Sequence, residues 1–227
     1  MNEALRIPIV EIYETVEGEG TRAGFPTIFV RLFGCNLRCV WCDTPYSYPP
    51  GKAEKVMTVR EILESVRSYK STHLCLTGGE PLMYGESSLQ LLQALSGLEQ
   101  LEDIHVETNG AIDLAPFLDR IVSPKVRYVM DFKLPGSGET ERMAMDNLRL
   151  LRASDELKFV IAGEADFHAA RELLAANDVK AVPLFGPVWE TMPPAKLVDL
   201  MLEYGLSGVR LNLQLHKLIW DPSARGV

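Results

Sequence analysis

Three cysteines, Cys35, Cys39 and Cys42, fall within eight residues in the spacing Cys-x3-Cys-x2-Cys. Thiolates clustered this tightly bind a metal or carry out redox chemistry. Their number is informative. Structural zinc sites and electron-transfer iron–sulfur sites ordinarily take four protein ligands, whereas three leave one coordination position open for a substrate. The fourth cysteine, Cys75, lies inside the apolar run His73-Leu74-Cys75-Leu76 and is expected to be buried as a small hydrophobe rather than to complete the set. A zinc knuckle closed by a distant histidine, or a redox thiol set, is the alternative that the spacing leaves open. A second motif, Thr77-Gly78-Gly79-Glu80-Pro81, offers two successive residues without a Cβ, which lets another backbone or a ligand approach closely beside a carboxylate.

The elements that must position these groups follow from hydrophobic periodicity. Residues 7–13 and 27–33 read as strands, the second running into the cysteines. Thr58 with Glu61 three residues later forms a capping box ahead of Ile62, Leu63 and Val66, so a helix starts there. Strand-like runs at 73–76, 104–107, 128–132, 157–161 and 179–184 then alternate with helix-like runs at 88–98, 114–118, 140–151, 166–176 and 195–204, and a last short strand spans 209–213. Alternation of this kind implies parallel strands with right-handed crossovers. Nearly every strand runs into polar or glycine-rich residues, among them Cys35, Thr77-Gly78-Gly79-Glu80, Glu107-Thr108-Asn109-Gly110, Asp131 and Lys133. Ligands gather at the C-terminal ends of parallel strands, so these groups are expected at one mouth. About six β/α units are too few for an eightfold barrel; the expected fold is an α/β, incomplete TIM-like barrel in a single domain, 1–227, with no Ser-, Gly- or Pro-rich linker dividing it.

Composition places the chain near the average for soluble globular proteins. The chain has 227 residues, 47% hydrophobic and 24% charged, far from the composition of disordered chains. Its 23 Lys and Arg against 31 Asp and Glu give a formal charge of −8, which argues against a nucleic-acid partner held by bulk charge. No apolar run of 18 residues and no secretory leader pattern before Pro8 are present, so no membrane association and a cytoplasmic location are expected.

The cysteine spacing with Trp41 between the last two cysteines, together with Gly-Gly-Glu-Pro after the next strand, resembles the radical S-adenosylmethionine superfamily. Within it the chain is similar to the 7-carboxy-7-deazaguanine synthase family. The matching stretches occur in order: Glu11-Ile12-Tyr13, Glu17-Gly18-Glu19-Gly20, Phe29-Val30-Arg31, Trp41-Cys42-Asp43-Thr44, Glu107-Thr108-Asn109-Gly110, Ser123-Pro124-Lys125, Asp131-Phe132-Lys133, Leu157-Lys158-Phe159-Val160-Ile161, and the tail from Gln214-Leu215-His216-Lys217 to Arg225-Gly226-Val227.

The resemblance implies the radical SAM fold with an N-terminal extension and a C-terminal tail that caps the substrate. It implies a 4Fe-4S cluster on Cys35, Cys39 and Cys42 whose fourth iron chelates S-adenosylmethionine, and a 5′-deoxyadenosyl radical that starts the reaction. The reaction implied is the ring contraction of 6-carboxy-5,6,7,8-tetrahydropterin to 7-carboxy-7-deazaguanine with loss of ammonia, in 7-deazapurine and queuosine biosynthesis. By the same resemblance Thr44 ligates Mg²⁺; Trp41, Cys42, Asp43, Gly79, Glu80, Ser123, Pro124 and Lys125 line S-adenosylmethionine; and Val16, Glu17, Gly18, Arg31, Thr77, His216 and the carboxylate of Val227 hold the pterin. A flavodoxin or ferredoxin reductant and a homodimer are implied too. His73, His105 and His168 belong to no motif and are expected to be ordinary packed or surface residues. The rival readings are an activase that makes a glycyl radical on a partner protein, and a non-catalytic metal-binding module.

Overall fold

The computed structural model describes residues 5–227; the first four residues of the expected domain lie outside the described residues. The first strand, β1 (Arg6–Val16), is longer than its apolar pattern indicates. It pairs antiparallel with β2 (Pro26–Leu32) on one side and with β3 (Lys55–Thr58) on the other. From β2 onward every pairing is parallel, through β4 (His73–Gly78), β5 (Asp103–Thr108), β6 (Val126–Asp131), β7 (Glu156–Ile161), β8 (Val182–Pro187) and the two-residue β9 (Arg210–Leu211). The order β3-β1-β2-β4-β5-β6-β7-β8-β9 never closes, so the sheet is an open, incomplete barrel.

Six helices follow the six parallel strands from β2 to β8: α1 (Val59–Arg67), α2 (Glu86–Ser96), α3 (Ala115–Arg120), α4 (Asn147–Leu150), α5 (Glu164–Ala176) and α6 (Pro194–Glu203). A one-turn α7 (His216–Ile219) lies in the tail. The capping box at α1 forms as its spacing requires: Glu61 N–H donates to Thr58 Oγ1 at 3.2 Å and Thr58 N–H donates to Glu61 Oε2 at 2.7 Å. The helix then buries Val59, Ile62, Leu63 and Val66, each contributing roughly 1.5–3 kcal/mol of apolar burial at most. The segment 140–151, expected as one helix, is instead a 3-10 turn (Thr140–Arg142) followed by the four-residue α4. Asn147 accounts for this break. It is fully buried, and its amide donates to Ile112 O at 2.8 Å and accepts from Leu114 N–H at 2.9 Å, which ties the chain to the loop after β5.

Strand alternation sorts the sheet into two chemistries. Outward residues such as Ile28, Val30, Leu74, Leu76, Ile104, Val106, Phe159 and Ile161 pack under the helices and form the apolar core. Phe185 joins that core with Phe159 and Phe167, whose ring centroids lie 5.5 and 5.8 Å away from it. The alternate residues face a central cavity: Phe29 and Arg31 on β2, Cys75 and Thr77 on β4, Glu107 on β5, Asp131 on β6, Lys158 and Val160 on β7, and Gly186 on β8. Register aligns these rows, with Phe29 opposite Cys75, Arg31 opposite Thr77, Asp131 opposite Lys158 and Val160 opposite Gly186. No helix among the described residues is long and apolar enough to cross a membrane.

Candidate functional site

The cavity has a volume of about 740 Å³ and opens at the C-terminal ends of the parallel strands. Its mouth is built from the loops that follow β2, β4, β5, β6 and β8, and from the opening residues 16–19 and the tail. Cys35, Cys39 and Cys42 all line it, half-buried and free of disulfides. Burial pushes the Cys39 thiol up to about 11, against the opposing pull of Lys133, and burial likewise raises Cys35. Cys35 Sγ accepts the Leu37 N–H at 3.4 Å and faces the Asn109 amide nitrogen at 3.7 Å. These donors compensate a thiolate once a metal replaces its proton. Three convergent soft donors in one loop fit an iron–sulfur cluster with one iron left for another ligand.

Why the next strand must end in two glycines is visible in the packing. The Gly79 N–H donates to Leu32 O and the Glu80 N–H to Gly34 O, so the strand end lies directly against the start of the cysteine loop. A Cβ on Gly79 would fall 2.7 Å from Cys35 Cβ and 2.6 Å from the Gly34 carbonyl carbon, and nearer still to that carbonyl's oxygen. Gly78 adds a positive φ of 148°, which disfavours any side chain there.

Four of the residues expected to line S-adenosylmethionine do not line the cavity: Glu80 and the run Ser123-Pro124-Lys125. Glu80 does not face the cavity. Its carboxylate turns inward, fully buried, and accepts from Leu82 N–H (2.9 Å), Asn109 N–H (2.6 Å) and the Thr108 hydroxyl (3.0 Å), so it joins the β4 and β5 loops rather than a ligand. Ser123, Pro124 and Lys125 precede β6 and so lie at the opposite end of the sheet, where the Lys125 ammonium donates to Leu98 O at 3.1 Å. At the mouth their place is taken by the segment after β6, in which Lys133 sits 4.9 Å over the Trp41 ring and pairs with Asp131 at 2.7 Å.

The other predicted residues line the cavity together. Trp41 and Asp43 flank Cys42 there, and Gln214 of the tail donates to Asp43 at 3.3 Å. The Thr44 hydroxyl lies 3.9 Å from Cys42 Sγ, while its carbonyl accepts from Ser47. Val16, Glu17, Gly18, Arg31, Thr77, His216 and Val227 surround the remaining volume. Gly18 is fixed by contact with the tail: its carbonyl accepts the Leu215 N–H at 3.0 Å, and a Cβ would fall 2.5 Å from His216 Nδ1. Arg31 is oriented by Glu11 (2.7 Å) and the Tyr13 hydroxyl (3.3 Å). Arg225 stacks 3.6 Å above the Tyr46 ring and holds the last residues over the opening.

Sequence reasoning missed a set of buried charges on the cavity wall. Lys158 Nζ lies 3.1 Å from both Glu19 Oε2 and Glu107 Oε2. Burial raises Glu107, whereas Lys158 and the Gln214 amide overcome burial at Glu19 and hold it down at about 2. Glu17, expected to hold the pterin, is 4% exposed and pairs with His105 Nε2 at 2.6 Å. The signal was present as polar residues at alternating strand positions, which in a barrel-like sheet mark the inner face.

The Radical SAM superfamily model matches residues 30–132, the span from β2 to just beyond β6. The chain is 34% identical over 221 residues to the 7-carboxy-7-deazaguanine synthase of Clostridium acetobutylicum, covering 96% of this chain and 98% of that protein. It is 38% identical over 232 residues to the protein of the same name from Chlorobaculum tepidum, covering both in full, and 39% identical to that of Pyrobaculum aerophilum across all of this chain and 91% of the relative. The crystal structure of QueE from Escherichia coli superposes with a TM-score of 0.68 over 92% of this chain and 94% of that one, at 24% identity, a likeness of fold.

Proposed function

The chain belongs to the 7-carboxy-7-deazaguanine synthase family of radical S-adenosylmethionine enzymes, and from that premise we propose that it contracts 6-carboxy-5,6,7,8-tetrahydropterin to 7-carboxy-7-deazaguanine with loss of ammonia. The observation that carries the reading is the convergence on one cavity of three thiols, a glycine-walled strand end and a belt of carboxylates, with the chain terminus folded over them.

In this reading Cys35, Cys39 and Cys42 hold the 4Fe-4S cluster. When bound, the cluster and S-adenosylmethionine supply the reductive generation of a hydrogen-abstracting radical. Gly79 keeps the wall beside the cluster loop free of side chains, and Trp41, Cys42 and Asp43 line the same side for the cosubstrate. Lys133, paired with Asp131 and stacked on Trp41, holds positive charge next to the thiolates. Arg31 presents a guanidinium to the pterin carboxylate, with Glu11 and Tyr13 fixing its plane. Thr44 would offer an uncharged oxygen to Mg²⁺.

Glu17, Gly18, Thr77, His216, Val16 and the terminal carboxylate of Val227 enclose the pterin ring. Carboxylates suit its 2-amino-4-oxopyrimidine edge, which presents adjacent N–H donors. The tail that excludes solvent also keeps a radical from side reactions. It stands where a protein substrate would need access, which argues against an activase, and the full-length relatives argue against a non-catalytic module. A flavodoxin or ferredoxin as electron donor and a homodimeric assembly complete the proposal.

The test is to incubate anaerobically reconstituted, reduced protein with the pterin, S-adenosylmethionine and Mg²⁺, and to follow products by mass spectrometry. The deazapurine acid is expected. Cleavage of S-adenosylmethionine with the pterin unchanged would refute the substrate assignment, and absence of cleavage would refute the radical chemistry.

A further inference from the structure

Beneath the mouth, three buried groups from three segments meet: Glu17 after β1, Cys75 on β4 and His105 on β5, their ligand atoms all within 4.8 Å of one another. Cys75 and His105 are register partners across the two strands, which is why the imidazole arrives beside a loop residue 88 positions away. Such a trio suggests a cation at first sight. The 2.6 Å between His105 Nε2 and Glu17 Oε2 is a direct hydrogen bond and leaves no room for an ion, whose ligands stand roughly 3.3 Å apart in a tetrahedral site.

The other contacts say what the pair does. Glu17 Oε1 accepts the Glu19 N–H at 3.0 Å, so each carboxylate oxygen has one partner that fixes it and a lone pair left for the cavity it lines. His105 Nδ1 has no hydrogen-bond partner and faces Asp103 Oδ1 at 3.7 Å, so both ring nitrogens look at carboxylates. Asp103 is in turn held by Arg127 (3.1 Å) and Arg22 (3.0 Å). Arg127 reaches Glu156, which accepts from the Thr21 N–H and hydroxyl and so closes the ladder back onto the loop that carries Glu17.

We propose that His105 is the positioning residue for pterin recognition: its Nε2 contact pins the Glu17 carboxylate and aims the free lone pairs of that carboxylate at the 2-amino edge of the ring. The inference rests on the reading of Glu17 as a pterin contact. Burial opposes charge on His105, but the Glu17 and Asp103 carboxylates beside it favour the imidazolium and raise His105 well above the ordinary histidine range. The remaining groups that face this site are Glu107 on the same strand, His73 on β4 and Arg127 on β6. Burial pushes Cys75 up to about 11, so it stays a neutral thiol near pH 7.

The experiment compares wild type, His105→Leu and His105→Gln for turnover of 6-carboxytetrahydropterin from pH 6 to 8, and for inhibition by an analogue with hydrogen in place of the 2-amino group. Loss of a buried charged partner raises KM by about 10- to 100-fold in His105→Leu, with the smaller share of the loss in kcat. His105→Gln, which keeps a donor but not the charge, lies between. Wild type prefers the pterin to the analogue, and His105→Leu loses most of that preference.

A KM and preference unchanged in both variants, or a loss confined to kcat, overturns the positioning role while the functional reading stands. Should His105→Leu not fold, His105→Gln and the wild-type analogue preference decide the matter. Wild type that does not turn over the pterin at all is instead the failure of the functional reading.

Discussion

Gly79→Ala adds one methyl group at the tightest point of the site. The new Cβ would stand 2.6–2.7 Å from the Gly34 carbonyl carbon and Cys35 Cβ, where ordinary carbon contacts are about 3.5–4.0 Å. These neighbours cannot give way as a flexible side chain would. One is backbone held by the Glu80 N–H and the other is the root of a cluster ligand. Relief therefore displaces the cysteine loop by about 1 Å, which is enough to cost on the order of 100-fold in a positioned reaction.

The stability cost is smaller, about 1–3 kcal/mol as for an overpacked core. The assay is iron and sulfide content after anaerobic reconstitution, followed by single-turnover cleavage of S-adenosylmethionine. Gly163→Ala serves as the control, since a Cβ there meets nothing within 4 Å and the backbone is extended. Gly79→Ala is expected to lose cluster, cleavage or both while melting only slightly below wild type. Full iron content with cleavage matching the Gly163 control would refute the claim that this glycine sets the approach of the cluster loop.

Three further outcomes follow from the same geometry. Lys158→Met leaves Glu19 and Glu107, half-buried in the cavity wall, without their cation and should cost about 1–3 kcal/mol at pH 7 in urea unfolding. The sign of the pH dependence should also invert. In wild type Glu19, depressed from 4.5 to about 2, contributes stability that is full above pH 4.5 and lost as the pH falls toward 2; in the variant both carboxyls are raised, so stability falls as the pH climbs through their range. Glu80→Gln should destabilise by about 1–3 kcal/mol, because each oxygen accepts a backbone N–H and the amide must set its NH2 against one of them. Deleting Val227 should weaken pterin turnover more than uncoupled cleavage of S-adenosylmethionine, and an equal loss would remove the case for a terminal carboxylate contact.

The parallel strands were legible because burial beneath helices forces apolar runs at alternating positions, and the capping box at Thr58 marked α1 for the same local reason. Cys35, Cys39, Cys42 and the Gly-Gly pair were legible because their chemistry depends on spacing within one loop. What escaped depends on register. His105 looked ordinary because nothing near it in the sequence explains its role; its partners come from 30 and 88 residues away, through the β4–β5 register and the loop after β1. The pairing of Lys158 with Glu107 and Glu19 was hidden likewise, although Glu107 was expected at the mouth. The misplacement of Ser123, Pro124 and Lys125 has a simpler cause: a motif between two strands was assigned to the mouth, although β6 begins only after it, with Asp131 and Lys133 at its far end. Glu80 shows that a residue beside a site can hold the wall without facing the ligand.

The central claim is that three thiols leave one iron of the cluster open to the sulfonium cosubstrate. Electron paramagnetic resonance of the reduced, oxygen-free protein tests it directly, recorded before and after S-adenosylmethionine is added. A 4Fe-4S signal that changes on addition is the predicted result. A signal that stays the same, with spectroscopic evidence of a fourth protein ligand on the cluster, would contradict it.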